Sequence, residues 1–148
     1  MAATGKIKVT SGMPGFSARK EKRALQIVVG IASIVPIAAG AAGMLLGPSF
    51  IGDRATDTPN LDSHSRYLSG LLLGIGVAYA CAVPGIERQS GRFLLLGAVV
   101  VLGGFGRLLA MLTIGVPSPI MFCALAMELL ATPTITLWQL RVARSTTS

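Results

Sequence analysis

Four long apolar runs, separated by polar connections, constrain this chain more than any other feature of its sequence. They cover residues 24–46, 67–83, 93–114 and 120–140. An α-helix rises about 1.5 Å per residue, so about 20 apolar residues cross the hydrocarbon core of a bilayer. All four runs are near that length, the second being the shortest. The sequence therefore predicts an all-α fold, a four-transmembrane-helix antiparallel bundle.

The composition favours lipid as the solvent of this bundle. Of the 148 residues, 52% are hydrophobic and 13% are charged, and the mean hydropathy is +0.69. A soluble domain has about a quarter of its residues charged. Because a soluble domain of about 150 residues exposes roughly 30% of its chain area, it could not hide so much apolar surface from water.

Polar segments divide the chain into three parts. Residues 1–23 are basic and lack apolar periodicity, which predicts a flexible basic cytoplasmic tail. Residues 24–141 form the predicted membrane domain, and residues 142–148 form a short C-terminal tail. The longest connection inside the membrane domain is 47–66, which joins the first two spans.

The positions of the basic residues predict the orientation of the spans. One side of the bundle carries ten of them: Lys6, Lys8, Arg19, Lys20, Lys22, Arg23, Arg88, Arg92, Arg141 and Arg144. The other side carries two, Arg54 and Arg66, beside three aspartates. Because basic residues concentrate on the cytoplasmic side, both termini should be cytoplasmic in a multi-pass protein of the cell (inner or plasma) membrane.

The formal net charge of +7 does not indicate nucleic-acid binding. The excess flanks the apolar runs, which orientation alone explains. A nucleic-acid-binding module carries a basic stripe on a folded surface together with aromatic residues or a reading helix, and the sequence contains no such module.

The first span also has features of a signal peptide. A basic region precedes an apolar stretch and the small-residue sequence Ala39-Gly40-Ala41. Cleavage after Ala41 would leave three spans. The first apolar run has 23 residues, however, and signal peptides use about 7–15. We therefore expect the first span to be retained.

Small residues four positions apart mark faces on which membrane helices approach closely. The second span has such a row at Gly70, Gly74, Ala78 and Ala82, and the first has one at Ala39, Gly43 and Gly47. We expect these rows to form a seam within one chain. A dimer face is the alternative.

Two charged residues interrupt the third and fourth apolar runs. Arg107 lies nine residues before Val116 and Glu128 lies eleven residues after Pro117, where the chain turns. In an antiparallel hairpin both would lie about 13–16 Å from that turn. Charges inside a bilayer are costly, so we expect the two side chains to pair. The pair is either a structural ion pair that fixes helix register or an ion, proton or ligand site.

Arg66 is an additional candidate polar residue, next to Tyr67 at the start of the second span. We expect its long side chain to extend to the membrane interface. Alternatively, it turns inward and binds an anionic group together with Arg107.

Several short motifs follow one another along the chain. They are Arg66, Ser69-Gly70-Leu71-Leu72-Leu73-Gly74-Ile75-Gly76, Gly106-Arg107-Leu108, Gly115, Pro117-Ser118-Pro119, Glu128-Leu129 and Trp138. With these motifs the stretch 66–141 resembles a bacterial family of four-helix integral membrane proteins that is catalogued only as a domain of unknown function. The resemblance implies the fold and the arginine–glutamate signature, and it implies no activity.

No motif for catalysis, a cofactor or a metal is present in the sequence. It has no nucleophile elbow and no phosphate loop. Its two cysteines, Cys81 and Cys123, lie in different runs and lack a histidine at a metal-site spacing, so we expect both to be buried as small hydrophobic residues. We expect no enzyme activity.

Two functions remain open from the sequence. We favour an accessory or scaffold subunit of a membrane complex, because the chain is small and offers small-residue faces to a membrane-protein partner or to a second copy. The alternative is a small transporter, or a ligand- or proton-binding membrane protein, that uses the Arg107–Glu128 pair.

The predicted orientation can be tested by cysteine labelling at Ser63 and Ser148. In intact cells, a membrane-impermeant reagent should label a cysteine at Ser63, which lies in the predicted outer connection. It should not label one at Ser148, because the C-terminus is expected in the cytoplasm. Labelling at Ser148 from outside would contradict the prediction.

Overall fold

The computed structural model describes residues 14–51 and 58–147, and nearly all of these residues are helical. The elements in chain order are α1 (Pro14–Leu46), a 3₁₀ turn (Gly47–Ile51), α2 (Pro59–Ala82), a 3₁₀ turn (Ile86–Arg88), α3 (Ser90–Thr113), α4 (Pro119–Ala126), a π-helical turn (Met127–Ala131) and α5 (Thr132–Thr147). α4, the π turn and α5 follow one another without a break and make up the fourth long helix. Four helices are long and apolar enough to cross a membrane. The predicted fold class is confirmed, and the chain is a multi-pass membrane protein.

The helices extend beyond the apolar runs. α1 begins at Pro14, so residues 14–23 of the predicted flexible tail are helical, and residues 1–13 lie outside the described part of the chain. α5 continues to Thr147, well beyond the last apolar run. A polar extension of a helix keeps its backbone hydrogen bonds in water as well as in lipid, so the end of an apolar run does not determine the end of a helix.

The second helix begins earlier than the apolar pattern predicts. α2 starts at Pro59, within the predicted connection 47–66. The hydroxyl of Thr58 accepts a hydrogen bond from the backbone N–H of Leu61 at 3.3 Å, which caps the first turn. Proline at the first helical position loses no hydrogen bond there and has a helical φ. The connection is therefore shorter than predicted.

Glycines bring α1 and α2 into close antiparallel contact. A Cβ added at Gly40 would lie 2.5 Å from the backbone nitrogen of Leu73 and 2.7 Å from the carbonyl oxygen of Ser69. A Cβ at Gly76 would lie 2.9 Å from the backbone nitrogen of Ile37. In lipid the hydrophobic effect does not drive helices together, so these backbone-to-backbone approaches are a main source of their association.

A second antiparallel pair is formed by α3 and the fourth helix. A Cβ at Gly97 would lie 2.7 Å from Oγ1 of Thr136, and one at Gly104 would lie 2.7 Å from Cδ2 of Leu129. Both glycines are buried. They lie seven residues apart, which places them on one face of α3. The bundle therefore consists of two glycine-packed helix pairs.

The buried core that joins the two pairs lies at one end of the bundle. It is a cluster of six apolar residues: Leu25, Val29, Ala82, Ile86, Phe93 and Val142. We call this end, which holds the α2–α3 turn and the basic residues that flank the spans, the basic end. The other end, which holds the α3–α4 turn, is the opposite end.

Polar side chains bind the α2–α3 turn at the basic end. Gln26 of α1 donates to the carbonyl of Val83 at 2.9 Å. The fully buried Gln139 of α5 donates to the carbonyl of Ile86 at 2.7 Å and to the Ser90 hydroxyl at 3.2 Å. These bonds give carbonyls of the turn a side-chain donor, in addition to the backbone N–H of Gln89 that reaches the Ile86 carbonyl at 3.4 Å, and they join three helices.

An ion pair adds to these contacts at the membrane surface. Lys22 Nζ lies 3.0 Å from Oε1 of Glu87. The backbone N–H of Glu87 and then the Lys22 ammonium hold the pKa of the Glu87 carboxyl below its ordinary value. Because the pKa is lowered in the folded chain, the stabilisation is present at neutral pH and is lost as the pH falls through the range in which the carboxyl protonates.

The opposite end is more open. Large apolar side chains there are exposed, among them Ile114, Val116 and Ile120, which are 77–89% exposed. Lipid can cover such side chains at no cost, so their exposure agrees with a membrane environment.

The α1–α2 seam yields a prediction with a matched control. Gly40→Ala places a Cβ against backbone atoms of α2, so the helices must separate, and we expect a loss of about 1–3 kcal/mol. Gly74→Ala meets nothing within 4 Å and should be neutral or stabilising by up to about 1 kcal/mol. Unfolding of both variants in detergent micelles measures the difference. Equal stabilities would show that the seam does not depend on Gly40.

Candidate functional site

An ion pair joins α3 to the fourth helix inside their apolar stretches. Nε of Arg107 donates to Oε1 of Glu128 at 3.0 Å. The Nη1 group of the same guanidinium donates to Sδ of Met121 at 2.9 Å. The Arg107 side chain is 40% exposed and the Glu128 side chain is 17% exposed. The structure thus brings together the two charged residues that the sequence indicated, and it adds a thioether acceptor.

Glu128 lies in the π-helical turn Met127–Ala131. This turn precedes Pro133, which has no backbone N–H and whose ring conflicts with the carbonyl four residues earlier. The backbone N–H of Thr132 therefore bonds to the carbonyl of Met127, five residues back, and the Thr132 hydroxyl donates to the same carbonyl at 3.1 Å. The wider turn contains one more residue than an α-helical turn, and it sets the direction in which Glu128 leaves the helix.

Gly104 has no side chain, which leaves room on α3 for the side chain of Glu128. A Cβ at Gly104 would lie 3.1 Å from Cβ of Glu128, closer than most such contacts. Gly104 lies three residues before Arg107 and therefore on the same side of α3. Gly104, Met121 and the π turn do not stand out in the sequence alone. In the sequence, the three-residue spacing of Gly104 from Arg107 could have indicated the glycine. The position of Pro133, five residues after Glu128, could have indicated an irregular turn.

The pair is only partly satisfied by the described part of the chain. Oε2 of Glu128 is buried and has no hydrogen-bond partner among the described residues. The guanidinium of Arg107 keeps an exposed surface. A buried acceptor without a donor is costly in a medium of low dielectric constant. The arrangement can therefore hold helix register and can also accept a proton at Glu128 or an anionic or polar group at Arg107.

Arg66 lies in a different site, at the end of α1. Its guanidinium donates to the carbonyls of Met44, at 2.5 Å, and Leu45, at 3.1 Å, and Nε donates to Oδ2 of Asp62 at 2.8 Å. Gly47, with a φ of 63°, ends the helix just beyond these carbonyls. Arg66 thus satisfies the last carbonyls of α1 and complements its dipole. These contacts are with α1 and α2, so no joint site with Arg107 is formed.

The predicted small-residue row on α2 lies at the edge of the α1–α2 seam. Gly70 is near Met44, with a Cβ position 3.5 Å from the Sδ atom. Ala78 is half-buried, and Gly74 is exposed with open space beside it. Among the glycines of α2, Gly76 approaches α1 most closely.

The two cysteines do not occupy the buried positions that the sequence suggested. Cys81 and Cys123 are both free and exposed on their helices. That expectation was wrong because an apolar run indicates burial in lipid or in protein without distinguishing between them.

These features define a class, that of small all-α multi-pass membrane proteins with a charged pair within the helices. The sequence profile of a family described as a domain of unknown function, DUF4345, matches residues 24–139. The match covers most of the chain, which therefore belongs to this family. No curated protein and no solved structure matches the chain.

Because the side chains of Arg107 and Glu128 are exposed to different extents, removing one or the other should lower the free energy of unfolding by different amounts. Arg107→Leu leaves the more buried Glu128 unpaired and should cost about 3 kcal/mol. Glu128→Leu leaves Arg107, which is more exposed and can extend its side chain towards the helix end, so the loss should be smaller. The double variant should recover most of the loss, since apolar replacements of a buried pair are often neutral. Unfolding in detergent micelles measures all three.

Met121→Leu is the control for the two single variants and the double variant of Arg107 and Glu128. It removes the thioether acceptor and keeps the apolar volume, so it should cost less than about 1.5 kcal/mol. If both single variants are as stable as the original chain, Arg107 and Glu128 do not stabilise each other. The double variant then has no loss of stability to recover.

Proposed function

We propose that this protein is an accessory subunit that binds a transmembrane helix of another membrane protein through the exposed face of α3 around Arg107. The observation that carries the proposal is the 40% exposure of the Arg107 side chain within an apolar helix. Exposed leucines can face lipid, whereas an exposed guanidinium at this depth is costly. A neighbouring helix with a carboxylate, amide or hydroxyl group would cover it.

The residues beside Arg107 suit a helix as the occupant. Gly103, Gly106 and Ala110 are exposed on the same side of α3, at spacings of three and four residues. A Cβ at Gly103 or Gly106 would meet nothing within 4 Å. These glycines therefore take no part in the packing of the described residues, and membrane helices use small residues at their contacts. We call this surface the Gly106 face.

A second candidate function rests on Glu128. Its Oε2 atom is buried without a partner in the described part of the chain, which suits a carboxylate that takes up a proton or receives a donor from a ligand. A small proton-coupled transporter or a ligand-binding membrane protein would use this atom together with the exposed side of Arg107.

The proposal is tested by placing a large side chain on the Gly106 face and, as a control, at another exposed glycine, and by comparing partner binding of the two variants. Gly106→Leu and Gly74→Leu both extend into open space, so both variants should fold. Each is purified in mild detergent from the membrane in which the protein normally resides. A stoichiometric partner should be present with the original chain and with Gly74→Leu, and it should be lost with Gly106→Leu.

The other outcomes separate the alternatives. A partner that remains bound to Gly106→Leu would contradict the proposed face, and loss with Gly74→Leu alone would place the contact on α2. Self-association that Gly106→Leu abolishes would show that the partner is a second copy. Purified protein that is monomeric and gives pH-dependent flux in liposomes, lost on Glu128→Gln, would favour the transporter.

A further inference from the structure

The last turns of α5 present a shallow, open groove that combines apolar and basic side chains. The groove has a volume of about 440 Å³ and is lined by Leu137, Leu140, Arg141, Arg144 and Ser145. These residues follow one another at intervals of three and one along the chain, so they lie on one face of the helix. This face is distant from Arg107, and the function proposed above does not use it.

The order of the side chains matches the layers of a bilayer leaflet. The two leucines come first, at the end of the last apolar run, and the two arginines follow that run towards the end of α5. From Leu137 to Arg144 the helix rises about 10 Å. The interfacial layer on each side of a bilayer is about 5–8 Å thick, so leucines at the edge of the hydrocarbon place the arginines among the headgroups.

The surroundings of the groove are strongly basic. The described residues at this end carry eight basic side chains, Arg19, Lys20, Lys22, Arg23, Arg88, Arg92, Arg141 and Arg144, against two acidic ones, Glu21 and Glu87. Basic surfaces at this depth attract anionic lipids. A guanidinium also binds a phosphate through two parallel hydrogen bonds, and Ser145 adds a hydroxyl donor.

We propose that the groove formed by Leu137, Leu140, Arg141, Arg144 and Ser145 binds an anionic phospholipid, with the phosphodiester on the arginines and the start of an acyl chain on the leucines. The two leucines favour a lipid over a soluble phosphate compound, because the soluble compound has no acyl chain to bury against them and so gains no binding free energy there. The two arginines distinguish an anionic headgroup from a zwitterionic one, whose positive charge they would oppose.

Native mass spectrometry of the full chain, released from nanodiscs with equal amounts of phosphatidylglycerol and phosphatidylcholine, tests the proposal. The original chain should retain phosphatidylglycerol preferentially. Arg141→Gln with Arg144→Gln should lower that preference about tenfold, because two charge-assisted contacts are lost. Arg23→Gln with Arg92→Gln removes the same charge from the same end outside the groove and should lower it by less than about twofold.

Three further measurements separate the contributions of the leucines, the phosphate group and the guanidinium geometry to lipid binding. Leu137→Gln should weaken lipid retention, and added glycerol phosphate should not displace the lipid. Arg141→Lys with Arg144→Lys keeps the charge, so it folds even if the glutamine variant does not, and it should still lose part of the preference because lysine cannot form the two parallel bonds. Equal losses in the groove and control variants, or displacement by glycerol phosphate, would overturn the proposal.

Discussion

The interior of a bilayer offers neither water to satisfy backbone groups nor a hydrophobic force to bring helices together, and the architecture of this chain follows from both conditions. Nearly every described backbone segment is helical, so its hydrogen bonds are satisfied internally. The helices then associate where glycine removes a side chain. Gly40 and Gly76 do so between α1 and α2, and Gly97 and Gly104 do so between α3 and the fourth helix.

Polar contacts are used differently at the two ends of the bundle. At the basic end, Gln26, Gln139 and Lys22 bind the α2–α3 turn, and the buried apolar cluster lies beside them. That end is therefore closed by contacts within the chain. Towards the opposite end, Arg66 of α2 binds the last carbonyls of α1, and the Arg107–Glu128 pair joins α3 to the fourth helix. The pair leaves part of the guanidinium exposed and one carboxylate oxygen without a partner among the described residues.

The sequence was sufficient for the fold class and for the family, because four apolar runs of bilayer length leave few alternatives. It also indicated Arg107 and Glu128, since charges in apolar runs stand out and their distances from the turn are similar. It could not select the packing face of α2. Gly70 and Gly74 follow the expected spacing, yet Gly76 is the glycine of α2 that approaches α1 most closely. A shift of two residues moves a position to a different side of a helix. Helix ends were also missed, because α1 and α2 continue into polar sequence.

The π turn explains why the details of the site were beyond sequence analysis. It depends on the conflict between Pro133 and the carbonyl of Leu129, and its effect on the direction of Glu128 requires coordinates. Met121 lies seven residues before Glu128 and therefore on the same face of the fourth helix, but nothing in an apolar run marks one methionine as the acceptor for Arg107. The capping role of Arg66 depends on the three-dimensional position of the α1 terminus.

Arg107 and Glu128 form an ion pair between two helices within the bilayer. The most direct measurement is a solid-state NMR distance between the labelled Nε of Arg107 and Cδ of Glu128, with the full chain in lipid bilayers. For a hydrogen-bonded ion pair this separation should be about 4 Å. A separation beyond about 6 Å would contradict it, because at that distance the two groups cannot share a hydrogen bond.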